Sequence, residues 1–346
     1  KAKKTHGAGN TAMSALPKSD RKIIFLLAML SIMSIFLTCF LGPVALPFTD
    51  LLAGFVGRGP RTVETIIWDL RFPRALAAFV AGACLGGSGA ALQGLLRNPL
   101  ADPGVLGVSS SAALGAVVAL YFNLAVFGLW VMPLAAILAA LAATAMLYTL
   151  GAARVSTTRL ILIGVGVSSF TGAMITLVMN LAPNPFALAD LVNWLFGSVS
   201  NRSMRDILFV IPFGFVGFVC LMTVVRPLGA LSLGEQTAIS LGVDLKQVRR
   251  RTIAGASLLT GASVALAGAI GFVGIIAPHL CRPFVAHDPG RTIVPAALLA
   301  GLMVVIADII VRLLPFPQEL RLGVIAGLVG APVFVWIAAK TAKLAP

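Results

Sequence analysis

The stretch LLRNPLADPGVLGVSSSAALGA, residues 95–116, ends an apolar run with Arg97-Asn98-Pro99. It then adds Asp102 and Pro103 and restarts as a run of small residues. Proline has no N–H for the helix ladder, and its ring clashes with the preceding turn, so this segment separates two helices. Outward in both directions the same alternation recurs: long apolar runs, and short breaks rich in charge, proline or glycine. The pattern predicts an all-α chain.

Of 346 residues, 59% are hydrophobic and 11% charged, with a mean hydropathy of +1.00. Soluble domains carry roughly 25% charged residues, so this composition predicts a polytopic membrane protein. The run 23–46 is too long for a cleaved leader, and similar runs recur to the end. A span needs about 20 residues. Ten spans are predicted, at 23–47, 75–96, 105–124, 126–150, 160–182, 206–225, 252–269, 271–285, 292–313 and 322–340, the eighth short and broken. Cys39, Cys84, Cys220 and Cys281 stand singly, which suggests neither a disulfide framework nor a zinc site.

The net charge of +14 is read from its placement. With the first tail inside and the spans alternating, eighteen of the 26 Lys and Arg fall inside and eight outside. This follows the positive-inside rule, places both termini in the cytoplasm, and leaves no footprint for nucleic acid. Residues 1–22, basic and without periodicity, are expected to form a disordered cytoplasmic tail, with the transmembrane domain at 23–346.

An internal repeat is expected. GACLGGSGAALQGLLRNP, beginning at Gly82, matches GASVALAGAIGFVGIIAP, beginning at Gly261: Gly-Ala opens each, Gly-Ala recurs at Gly89 and Gly268, and Pro follows at Pro99 and Pro278. The two helices that open these segments run in opposite directions, so helices 2–5 and 7–10 form an inverted repeat, an architecture of many transporters.

No nucleophile–base arrangement or paired-His metal spacing suggests itself, and GxxxxGK[ST] is absent, so the chain is not itself a P-loop ATPase. His279 reads as a helix-end residue. Carboxylates deep in the spans, which mark ion relays, are nearly absent; Asp308 and Glu319 lie toward the outer end of the ninth span and its loop. This disfavours an ion-coupled carrier and leaves the driving force to a partner. The loop RPLGALSLGEQTAISLGVDLKQVRRR, residues 226–251, is the candidate contact: two short helical pieces broken at Gly234 and Gly242, with Ser232 and Glu235 spaced as a capping box.

The chain resembles the FecCD family of permeases, the membrane subunits of type II ATP-binding-cassette importers for ferric siderophores, haem and cobalamin. The resemblance runs from about residue 65 to 340 and is carried by LRFPRALAAFVAGACLGGSGAALQGLLRNPLADPGVLGVSSSAALGA, STTRLILIGVG, LSLGEQTAISLGV, GAIGFVGIIAPHLCR, ADIIVRLL and LGVIAGLVGAPVFVW. It implies ten helices, a homodimer or pseudo-dimer in the bacterial cytoplasmic membrane, a substrate-binding protein outside, and two cytoplasmic ATPase subunits. ATP and Mg would belong to those subunits, with no cofactor on this chain.

The resemblance also implies roles. Leu233, Gly234, Glu235, Ala238, Leu241, Gly242 and Val243 would couple to the ATPase. Asn98 and Leu100 would form one cytoplasmic gate, and Thr157 and Thr158 a second. Arg71, Arg74 and Arg312 would dock the binding protein, guanidinium forks being suited to carboxylates. Along the fifth span, Ser168, Ser169, Thr171 and Met174 are candidates to line a path and equally fit ordinary helix packing. A membrane-embedded enzyme finds no support in the residues.

Overall fold

The computed structural model describes residues 17–42, 44, 46–128, 130–149, 157–315 and 319–342. In chain order the helices are α1 (Lys18–Phe40), α2 (Phe48–Phe55), α3 (Arg61–Thr65), α4 (Phe72–Leu96), α5 (Val108–Tyr121), α6 (Val131–Leu147), α7 (Thr157–Asn180), α8 (Pro185–Leu195), α9 (Met204–Met222), α10 (Val225–Leu231), α11 (Glu235–Ser240), α12 (Leu245–Ala267), α13 (Val273–Cys281), α14 (Ile293–Leu313) and α15 (Leu322–Ala342). No strand occurs among the described residues. Long and apolar enough to cross a membrane are α1, the rod running from α3 through α4, α7, α9 and α14; α5, α6, α13 and α15 are shorter apolar helices.

Two expectations change at the start of the chain. Helix α1 begins at Lys18, so 18–22 belong to the first helix; residues 1–16, the rest of the expected tail, lie outside the described residues. The helix is anchored there: Asp20, 1% exposed, takes 2.5 Å bonds from Arg291 Nε and Nη2 in the loop before α14. Second, the helix expected from residue 75 starts at Arg61. It runs α3, then a π-helical segment Ile66–Arg71, then α4. Pro73 supplies no N–H to the preceding turn, and the wider π turn spans that site, with Phe72 N–H bonding back to the Ile67 carbonyl.

The core is α4. Of its residues Ala75–Leu96, only Leu76, Phe79, Val80 and Ala83 are even partly exposed. Without a hydrophobic drive between helices in lipid, close approach rests on small residues. A methyl group on Gly82 or Gly86 would overlap the Ala300 or Ala296 carbonyl oxygen of α14, and one on Gly89 the Gly274 carbonyl oxygen of α13.

The repeat is visible in these contacts. Gly82 of α4 packs on α14, the ninth span of the sequence reading. Its matched Gly261 of α12 packs on Ile137 and Ala140 of α6, the fourth span. Each opening helix thus meets the corresponding helix of the opposite half, as a repeat of the two halves requires. The match ends within the segment. Helix α4 runs on to Leu96, whereas α12 stops at Ala267, with Gly268 at φ 72° and Phe272 at φ 65° before α13. Pro99 therefore follows a helix while Pro278 lies inside one.

Helix α8 was not among the expected spans. Asn184 caps it, its Oδ1 accepting the Ala187 N–H at 2.9 Å, with Pro185 in the first turn.

Candidate functional site

The opening stretch forms a compact turn at one end of α4. Arg97 closes the helix in the left-handed conformation, φ 49°, and the Asn98 N–H returns to the Gln93 carbonyl at 3.2 Å. Asn98 Oδ1 accepts the Leu100 N–H at 2.9 Å, and its backbone carbonyl accepts Ala101 N–H. Asp102 Oδ1 repeats the device with Gly104 N–H at 2.7 Å, and Gly107 at φ 76° starts α5. Short Asn and Asp side chains offer their own backbone an alternative to the helix ladder, which is why they occupy such turns.

The end of α4 is pinned by Gln93. Its amide lies 3.5 and 3.4 Å from the Gly274 and Ile275 carbonyls of α13, while its Oε1 accepts Arg282 Nη2 at 2.7 Å. The loop 98–107 also packs on α7, where a methyl on Gly164 would reach 2.5 Å from the Val105 carbonyl oxygen. Thr157 and Thr158 open α7, and Thr158 is exposed. The Thr157 side chain and residues 150–156 lie outside the described residues.

Beyond α9, the polar loop forms two short helices, α10 and α11, as expected, and Gly234 (φ 107°) and Gly242 (φ 82°) supply the breaks. The expected capping box is not formed. Gly234 occupies the N-cap of α11, and Ser232 Oγ donates to the Gly229 carbonyl at 2.7 Å. Glu235 instead reaches across to two cations, Arg249 Nη2 at 2.9 Å and Arg97 Nη2 at 3.7 Å. Leu233, Ile239 and Leu241 stand exposed, whereas Ala238 is fully buried beneath them and Val243 half-buried. Of the seven residues expected to couple, Ala238 therefore packs the loop and presents no surface.

At the opposite end of α4, the three arginines are engaged within the chain. Arg71 donates to the carbonyls of Cys39 at 3.0 Å and Val44 at 2.8 Å, satisfying a carbonyl left free at the end of α1. Arg312 is buried and ion-paired to Asp308. Arg74 Nη2 meets Asp308 Oδ1 at 2.9 Å and Glu319 Oε2 at 2.9 Å, and Glu319 is held further by Ser200 Oγ. Glu319 is the outward member, 36% exposed. Burial raises its pKa, but the Arg74 hydrogen bond and charge, with Ser200 and Arg312, bring it below its ordinary value. The Asp308 hub was missed from sequence, which placed that residue only near the outer end of its helix.

Of the lining candidates, Ser168 Oγ donates to the Gly104 carbonyl at 2.8 Å, and Thr171, buried, sits 2.8 Å from both Ser110 Oγ and the Val167 carbonyl. Both face the α5 side. Ser169 is exposed and Met174 half-buried. Thr171 also lines an apolar crevice of about 490 Å³ between α5, α6 and α7.

Apolar helices packed through glycine, a Pro-broken turn at one end and a charged cluster at the other define a polytopic membrane protein. The chain belongs to the FecCD transport family, whose model matches residues 28–340. It is 40% identical over 289 residues to the uncharacterized ABC transporter permease protein YvrB of Bacillus subtilis (strain 168), covering 82% of this chain and 81% of that one. It is 40% identical over 277 residues to the vitamin B12 import system permease protein BtuC of Vibrio cholerae serotype O1, covering 79% and 82%. A solved structure described as an inward-facing metal-chelate type ABC transporter superposes with a TM-score of 0.81 at 29% identity, over 92% of this chain and 99% of that one. The chain is a permease subunit of an ABC importer of the FecCD family.

Proposed function

We propose that two copies of this chain form the membrane pathway of an ATP-driven importer for a bulky metal chelate or corrinoid, in the ferric siderophore, haem and cobalamin range. The observation that carries this reading is family membership, together with near-full-length similarity to vitamin B12 import permeases. Those relatives favour a corrinoid within the range. The chain itself is non-catalytic: two cytoplasmic ATPase subunits bind ATP and Mg and dock on α10 and α11, where Leu233, Ile239 and Leu241 offer apolar anchors on a charged loop. It spans the cytoplasmic membrane ten times, with both termini inside, which the positive-inside distribution supports.

A substrate-binding protein delivers the cargo at the opposite face, its carboxylates meeting Arg74, the most exposed of the three arginines in the outer cluster. Arg71 and Arg312 support that surface from below. Asn98 and Leu100, with Thr157 and Thr158, close the cytoplasmic end. Ser169 and Met174 remain the better lining candidates on α7, because Ser168 and Thr171 are bonded toward α5.

The test is uptake into proteoliposomes holding this protein with its ATPase and binding protein, challenged with haem, several ferric siderophores and cobalamin. Saturable accumulation of one of them is expected and names the cargo. Accumulation of none, alongside stimulated ATP hydrolysis, would place the cargo outside this range.

A further inference from the structure

We propose that Arg97 is a positioning residue, holding the Asn98–Leu100 turn to the coupling helix α11 through Glu235 and passing displacement of one to the other. The proposal rests on the coupling and gating roles set out above and adds the physical link between them.

Glu235 is the first residue of α11, and its side chain points back across the loop rather than outward: Oε1 lies 2.9 Å from Arg249 Nη2 on α12 and 3.7 Å from Arg97 Nη2 at the end of α4. One carboxylate thus joins three elements. Arg249 fixes it to the first turns of α12, so the carboxylate is held where Arg97 meets it. On the other side, Arg97 is not a mobile end. Its backbone is locked in the left-handed region, and its N–H and that of Asn98 return to the Gly94 and Gln93 carbonyls. Gln93 is itself pinned to α13 and Arg282. The next side chain, Asn98, holds Leu100 by its Oδ1. A pull on the Arg97 guanidinium therefore reaches the turn through one rigid left-handed residue, with α4 braced behind it.

An exposed ion pair contributes little to stability. Arg97 and Glu235 side chains are 45% and 36% exposed, so the fold does not depend on this contact. That separates a transmitting role from a structural one: neutralising either partner should spare folding and assembly.

The experiment uses the full complex with its ATPase in proteoliposomes and reads cargo moved per ATP hydrolysed for Arg97→Gln, Glu235→Gln and the double variant. Each single change is expected to lower the ratio by at least about twofold, within the roughly fivefold that loss of an exposed pair allows. The double variant should be no worse than the poorer single, since both remove one interaction. Arg97→Lys, which keeps the charge, should retain the wild-type ratio, and the ATPase should co-purify with both Arg97 variants. An unchanged ratio in Arg97→Gln, multiplying losses in the double variant, or loss of the ATPase from Arg97→Gln would each overturn the proposal. Leu241→Asp separates this from the coupling reading: ATPase attachment and ratio both intact in that variant would remove the coupling surface itself. An attachment defect there, with Arg97→Gln normal, removes only the link.

Discussion

Arg74 and Asp308, 234 residues apart in sequence, are joined by a 2.9 Å bond that ties the start of α4 to α14. Arg312 closes on the same carboxylate from one turn further along α14, so one buried Asp, 1% exposed, pairs with two arginines, and Glu319 supplies the cluster's second negative charge.

Removing that carboxylate takes the ion-pair partner from the buried Arg312 and leaves Arg74 with Glu319 alone. Loss of one partner of a buried pair costs about 3–5 kcal/mol. Asp308→Asn should therefore lower the thermal unfolding midpoint of the detergent-solubilised protein markedly. Glu319→Gln, at the exposed edge of the same cluster, should cost about 1 kcal/mol or less.

The cluster should respond to acid through Glu319. Its pKa is depressed below the ordinary 4.5, so the tie to Arg74 is fully present above the ordinary carboxylate range and is lost as pH falls through the lowered value. Wild type should be the more stable at neutral pH. Its advantage over Glu319→Gln should shrink and then vanish as the pH falls below the ordinary Glu range, measured by thermal unfolding. An advantage that grows with acid would contradict the sign.

Close approach of α4 to α13 depends on the absence of a side chain at Gly89, where a methyl would overlap the Gly274 carbonyl oxygen. Gly89→Val should destabilise by about 1–3 kcal/mol or more, as overpacking does. Gly166→Ala, with open space around it on α7, should be close to neutral in the same unfolding assay.

The Asn98 side chain holds Leu100 by one hydrogen bond at a turn. By analogy with capping residues, Asn98→Ala should cost about 1 kcal/mol. If the turn closes the pathway, the variant should also leak preloaded cargo from proteoliposomes without ATP. Asn98→Asp, which keeps the acceptor, should leak less.

Much of the fold was legible because its signals are local. Apolar runs bounded by Pro and Gly located α7, α9 and α14 to within three residues at each end, while α1 and α12 began five and seven residues earlier than expected, and Gly234 and Gly242 marked the breaks around α11. The failures have physical reasons. Glu64, Trp68 and Asp69 interrupt the hydropathy of the rod from Arg61, so the helix was placed too late, although Pro73 lies at a point where a helix can continue by widening its turn. Asn184-Pro185 is a helix start signal that was passed over because α8 is too short to span. The spacing of Ser232 and Glu235 suggested a capping box, but the pattern forms at Ser203 and Asp206, where each side chain meets the other residue's backbone N–H. Ion pairs such as Arg74–Asp308 and Arg97–Glu235 depend on how distant helix ends meet, and nothing local in the sequence encodes that meeting.

The most direct test of the central claim is the initial rate of cargo uptake into proteoliposomes with ATP inside, compared between an active ATPase partner, a hydrolysis-dead one, and an imposed proton or sodium gradient without ATP. Uptake is expected only with the active ATPase. Uptake driven by the gradient alone, or undiminished with the dead ATPase, would contradict it.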